Sequence, residues 1–129
     1  MPRMRVGVIR GGIGREYETS LASGAQMLRH MPEHYEAQDI LVDRAGGWHI
    51  GGVPILPRDL HSEIEVALLA LHGEYGEAGT IQHGLELRGI PHTGSSAFPS
   101  ATAWKKTLAK ELLRRAGVRT PFGEGILRE

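Results

Sequence analysis

Several groups of side chains in this sequence have types and spacings that could do chemistry. Gly11-Gly12-Ile13-Gly14 follows a short apolar run. It lacks the Gly-x-Gly-x-x-Gly spacing of a dinucleotide loop, because Tyr17 stands where the third glycine belongs. No Gly-Lys-Ser/Thr phosphate loop occurs anywhere. A tight turn accounts for these glycines as well as a ligand does. Glu16 and Glu18 come next. Carboxylates near a helix start gain from its dipole, and a carboxylate there is also what an ammonium group would seek. The stretch His72-Gly73-Glu74-Tyr75-Gly76-Glu77-Ala78-Gly79-Thr80-Ile81-Gln82 is the most informative. Its glycines admit close backbone approach, and amides at the following helix start can hold an anion. A histidine leaving a buried strand is either structural or turned to a ligand. Lys105-Lys106 place two cations at the head of the last helix, where a solvated face is the alternative. His30 and His34 would pair on a metal only along one unbroken helix, and Pro32 lies between them. No Ser-His-Asp order or nucleophile elbow is present, so acyl-transfer hydrolysis is set aside.

The elements that must position these groups alternate. Met4 to Ile9 reads as a strand running into glycines. Leu21, Ala25, Leu28 and Met31 recur at helical spacing, with Thr19 or Ser20 as cap and Pro32 as stop. Tyr35 to Val42 reads as a second strand, and Trp48 to Leu56 as a small hairpin turning at Gly51-Gly52. Pro54 puts that hairpin at a sheet edge. Glu65 to Leu71 reads as a strand covered on both faces. Thr80 should cap a helix carrying Ile81, Leu85 and Leu87, with Gly89 past its end. Ile90 to Thr93 reads as a short strand. A last helix should run to about Ala116 with Leu108, Leu112, Leu113 and Ala116 turned inward. This order predicts an α/β fold: a doubly wound, mostly parallel sheet with helices on both faces. Right-handed crossovers gather the loops after the strands, 11–18, 72–79 and 94–96, along one edge, where open sheets bind ligands.

Composition narrows the function. The 129 residues are the size of one domain. The sequence has no cysteine, which removes disulfides, thiol catalysis and cysteine-held zinc. The longest apolar run, Val66 to Leu71, is far short of a membrane span, and no secretory leader is read. Fifteen basic side chains balance fifteen acidic ones, which argues against nucleic acid as partner. The balance hides a gradient, with residues 60–104 net −4 and 105–129 net +4. A basic end suits a phosphate-bearing ligand or an acidic neighbour as well as a solvated face.

Together these stretches resemble the amino-terminal domain of the D-alanine–D-alanine ligases, members of the ATP-grasp superfamily. The resemblance is carried by Val6-Gly7-Val8-Ile9 with Gly11-Gly12, by Glu16 to Leu21 with Ser23-Gly24, and by His72-Gly73, Gly76-Glu77 and Gly79 to Gln82. It continues through Leu85 to Leu87, Gly89-Ile90-Pro91, Thr93 to Ser95, Lys106, Lys110 and Ala116 to Val118. It implies a Rossmann-like, pre-ATP-grasp substrate domain over 1–117, with 118–129 as a linker into a central domain. Ile126-Leu127 would then begin a further strand. It also implies a cytoplasmic enzyme of peptidoglycan precursor synthesis, with ATP and Mg2+ as cofactors. In that reaction one D-alanine carboxylate becomes an acyl phosphate, which the amine of a second D-alanine attacks. Glu16, Ser20, His72 and Gly73 would bind the first D-alanine, and Lys106 would reach the ATP phosphates. The implied partners are D-alanine, the ATP-grasp domains and a second copy in a homodimer. This chain alone would neither catalyse ligation nor bind nucleotide tightly. Ala78, Lys105 and Gly14 depart from the family pattern of Asp, Asp and Ser, and bear on which substrate is taken. The alternative is a stand-alone module that binds a small molecule or a partner without catalysis.

Overall fold

β1 (Met4–Gly11) lies between two parallel neighbours in a computed structural model that describes residues 1–126. It pairs along its whole length with β2 (Tyr35–Val42) and over Val6 to Ile9 with β5 (Val66–Leu69). β3 (Trp48–Ile50) and β4 (Val53–Ile55) form an antiparallel hairpin that extends the β2 side, giving the order β4-β3-β2-β1-β5. Gly51 and Gly52 both have positive φ, as a two-residue hairpin turn requires, and Pro54 lies on the edge strand. The α/β sheet is thus mixed and open, with the expected edge hairpin and a parallel centre.

Alternation along β1 sends its side chains to opposite faces. On one face, a methyl group at Gly7 would meet Ile40 at 2.7 Å and Ile64 at 2.8 Å, so only glycine fits. The core on this side joins Ile9, Ile40 and Ile64 to Leu60 of α2 (Leu60–Glu63) and to Ile81 and Leu85 of α4 (Thr80–Leu87). On the other face, Arg10 runs under α1 (Tyr17–Arg29), close against Gly24. Its guanidinium holds Asp39 of β2 through two bonds of 2.7 and 2.8 Å and donates to the Leu21 carbonyl. The bond to Asp39 raises the Arg10 pKa, so this half-buried cation stays charged. Helices therefore cover both faces, and the core is packed mainly on the Gly7 side.

The sequence reading needs correction in several elements. Neither Thr19 nor Ser20 caps α1. Glu16 takes the cap position, with no side-chain bond, and Ser20 is fully buried one turn inside. Thr80 does not cap α4 either, because Gly79, at φ 96°, precedes the helix. β5 ends at Leu69, although Ala70 and Leu71 remain buried, and Leu69 is only partly covered. The residues after His72 form a short helix, α3 (Gly73–Glu77), where a loop was expected. Ile90 to Thr93 contributes one parallel bridge, Ala67 to His92, rather than a strand. The last helix is two: α5 (Ala97–Trp104) and α6 (Lys106–Arg115), broken at Lys105. Leu108, Leu112 and Leu113 keep their helical spacing but are 41–43% exposed, and Ala116 is exposed as well, so none of the four is inward. Residues 118–126 carry no regular structure, and Leu127, on which the expected further strand in part rests, lies outside the described residues. Among the described residues, no helix is long and apolar enough to cross a membrane.

Candidate functional site

The carboxyl ends of β1 and β5 lie side by side because the two strands are parallel. The chain leaves β1 through Gly11 and Gly12, both at positive φ. A side chain at Gly12 would meet the Tyr75 ring at 2.7 Å, so the glycine lets α3 lie over the end of β1. The segment then reaches Glu16 at the head of α1. On the β5 side, Ala70 donates its N–H to the Ile9 carbonyl, and His72 follows two residues later. Gly73, at φ 71°, turns the chain into α3, and a Cβ there would lie 3.2 Å from Glu16 Cγ. The two loops are in contact.

Together they line a cleft of about 530 Å³ that includes Gly14, Arg15, Glu16, His72, Gly73 and Tyr75. Three of the four expected substrate residues, Glu16, His72 and Gly73, are therefore neighbours. The fourth, Ser20, sits beneath the cleft in the frame. Its hydroxyl accepts from Gly11 N–H at 2.8 Å and donates to the Ala70 carbonyl at 2.7 Å, tying α1 to the ends of both strands. The cleft carries two carboxylates, Glu16 and Glu74, beside the Arg15 guanidinium, a mixed lining suited to a small zwitterion. Gly73 N–H is already taken by Glu77 Oε1 at 2.9 Å, so what Gly73 offers a ligand is room rather than a free donor. Burial raises the Tyr75 phenol pKa, the Trp48 indole opposing this in part, so the wall facing Gly12 stays uncharged at neutral pH.

Lys106 lines a different cleft, of about 480 Å³, on the other flank of α3. Thr93, Gly94, Ser95, Ser100 and Trp104 share it with Lys106. Hydroxyls and the Lys106 ammonium offer donors to a phosphate oxygen there, and the Glu77 carboxylate lines the same cleft. Gln82 also lines this cleft: its amide N–H donates to the Gly76 carbonyl at 2.7 Å, and its Oε1 is buried without a protein partner. Among the described residues, no group of three or more His, Asp or Glu could hold a metal ion. His30 and His34 belong to no such group.

Sequence reasoning missed the role of Ser23, whose Oγ lies 2.8 Å from His72 Nε2. Its spacing three residues from Ser20, on one helix face, was the available signal. It also missed the coverage of the glycine loop by Tyr75, which no local pattern announces.

No protein-family model matches the chain. Curated relatives do. D-alanine–D-alanine ligase B of Clostridium perfringens is 38% identical over 118 residues, covering 91% of this chain and 36% of the relative. The D-alanine–D-alanine ligase of Geobacter sulfurreducens is 42% identical over 116 residues, covering 88% and 34%. This chain is homologous to the amino-terminal part of the D-alanine–D-alanine ligases. It spans about a third of the length of these curated relatives. Solved structures of the family agree in fold. The VanG D-Ala:D-Ser ligase of Enterococcus faecalis superposes with a TM-score of 0.85 at 26% identity, over 94% of this chain and 44% of that one. The D-alanine–D-alanine ligase of Bacillus anthracis, solved with ATP, gives 0.76 at 36% identity, over 92% and 38%.

Proposed function

We propose that this chain is the substrate-side unit of an ATP-dependent ligase that joins two D-alanines, and that the cleft between Glu16 and His72 takes the first of them. The observation that carries this reading is the cleft itself. Glu16 and His72 come from loops far apart in sequence and line one concave site at the carboxyl ends of parallel strands. The Glu16 carboxylate binds the substrate ammonium by a charge-assisted bond. His72 orients the same molecule from the opposite wall, and Gly73 keeps the space between them open.

Lys106 and the hydroxyls around it fit a phosphate, and we assign that cleft to the nucleotide. ATP, when bound, supplies the phosphoryl group that activates one D-alanine carboxylate toward the amine of the second. The ATP-grasp domains, which hold the rest of the nucleotide and Mg2+ in this reading, complete the enzyme. The 129-residue chain by itself therefore binds its amino acid and does not ligate. The reading carries with it a cytoplasmic place in peptidoglycan precursor synthesis.

Titration with D-alanine, followed through backbone amide shifts, tests the site. Shifts should centre on Gly14, Glu16 and Gly73, and Glu16→Gln should weaken binding about ten- to a hundredfold by removing one charge-assisted bond. His72→Ala should weaken it as well, and the two losses should be non-additive because both groups touch one ligand. Shifts confined to the Lys106 cleft, or unchanged affinity in both variants, would reject the assignment.

A further inference from the structure

We propose that Ser23 is a positioning residue: its hydroxyl holds His72 by Nε2 and so fixes the imidazole in the cleft beside Glu16. The inference rests on the reading of that cleft given above.

The second side-chain torsion of histidine is broad, so a ring at the rim of an open cleft has no preferred orientation of its own. Which ring nitrogen carries the proton is set by the hydrogen bond the other one makes. Here the bond is to Ser23 Oγ, at 2.8 Å. A serine inside a helix ordinarily returns its hydroxyl to the carbonyl four residues earlier. Ser23 instead reaches out of α1 to a residue beyond the end of β5.

The rigidity of α1 makes this bond a constraint on the ring. One turn earlier, Ser20 is bonded to both Gly11 and the Ala70 carbonyl. Arg10 donates to the Leu21 carbonyl and packs under Gly24. Positions 20, 21 and 24 thus bracket Ser23 with contacts to the sheet. Ala70, held by Ser20, stands two residues before His72, held by Ser23. The helix face therefore fixes both the strand end and the ring that follows it.

The geometry serves either neutral form of the imidazole. With Nδ1 protonated, the Ser23 O–H donates to Nε2; with Nε2 protonated, Oγ accepts. In each case Nδ1 lies on the side of the ring away from Ser23, and among the described residues it makes no hydrogen bond. It is the atom left for the ligand. Ser23 sets the direction in which it points.

The experiment compares Ser23→Ala, Ser23→Thr and His72→Ala with the wild-type chain. Alanine is the best helix former, so Ser23→Ala should retain α1, checked by its amide spectrum. Imidazole 15N spectra should show the His72 Nε2 signal displaced in Ser23→Ala, by loss of its hydrogen bond, relative to the wild type. D-alanine should bind Ser23→Ala about three- to tenfold more weakly, the loss expected for one hydrogen bond. Ser23→Thr, which keeps the hydroxyl, should restore both readouts. Unchanged 15N signals in Ser23→Ala would overturn the proposal, as would changed signals with unchanged D-alanine affinity. If His72→Ala weakens D-alanine binding and Ser23→Ala does not, the positioning role fails and the cleft assignment stands. If neither variant matters to D-alanine, the cleft assignment fails and the positioning role falls with it.

Discussion

Gly73 shows how one missing side chain serves both backbone and site. Its φ of 71° is costly for any residue with a Cβ, and that Cβ would lie 3.2 Å from Glu16 Cγ. Gly73→Ala should lower stability by about 1–2 kcal/mol in urea titration. It should also weaken D-alanine binding, because Glu16 must move aside. At Gly14, by contrast, a Cβ would meet no atom within 4 Å, so a substitution there strains only the backbone. Glu86 is a residue whose effect depends on pH. It accepts from Ala97 N–H at 2.8 Å and pairs with His92 at 3.2 Å, and these bonds, the first above all, hold its carboxyl below the ordinary range. A lowered folded-state pKa contributes stability above the unfolded value and loses it as pH falls through the folded one. The stability advantage of wild type over Glu86→Gln should therefore be full near neutrality and shrink below about pH 4.5, the unperturbed value. Urea midpoints measured between pH 7 and pH 3 check this, and a difference that stays constant would remove Glu86 from the account.

At the scale of elements, α1 and α6 are opposites. The buried positions of α1 are Ser20 and Gly24, and polar bonds from Ser20 tie the helix to the sheet. Ser20→Ala would strand the Gly11 N–H and the Ala70 carbonyl and should cost about 2–4 kcal/mol. α6 has an apolar face of Leu108, Leu112 and Leu113 that the described residues leave uncovered. Leu112→Ala should stay within about 0.5 kcal/mol of wild type in this chain. Leu85→Ala, at a side chain 2% exposed, should cost about 2–5 kcal/mol. Parallel urea titrations of the two would test the contrast. The same elements show what was legible in the sequence. Gly51-Gly52 and Pro54 announce an edge hairpin, since turn and edge chemistry are local. The run from Met4 into Gly11-Gly12 announces the central strand in the same way, and the loops it predicted at one edge do meet, at Glu16 and Gly73. α3 was hidden because Gly73-Glu74-Tyr75-Gly76-Glu77 has turn composition, and its helix is held by tertiary packing: Tyr75 on Gly12, and Gly76 against Leu71. The break at Lys105 was hidden because no proline or glycine marks it. Ser20 read as a cap because serine usually is one, and its burial depends on two strand ends that no local pattern brings together.

For the whole molecule, the charge gradient along the sequence is not sorted between the two clefts. Glu16, Glu74 and Arg15 belong to the cleft on one flank of α3, and Lys106 and Glu77 to the cleft on the other, so each cleft carries both signs of charge. A single lysine contact offsets little of the cost of association. Calorimetric titration of this chain with Mg-ATP should accordingly show no micromolar binding, and a micromolar dissociation constant would overturn that expectation. The strand order has a consequence for how the molecule comes into being. Val6 pairs with Ala37 on one side and with Val66 on the other, so β1 precedes β2 and acquires its second neighbour, β5, only after the intervening segment has been made. On the ribosome, the β1–β2 pair waits with one row of backbone donors and acceptors open, and an open edge invites other chains. Contacts this distant in sequence also place refolding on the slower, millisecond-to-second side of small domains. β5 covers the row that β1 leaves open and becomes the new edge of the sheet, where the single bridge from Ala67 to His92 meets it.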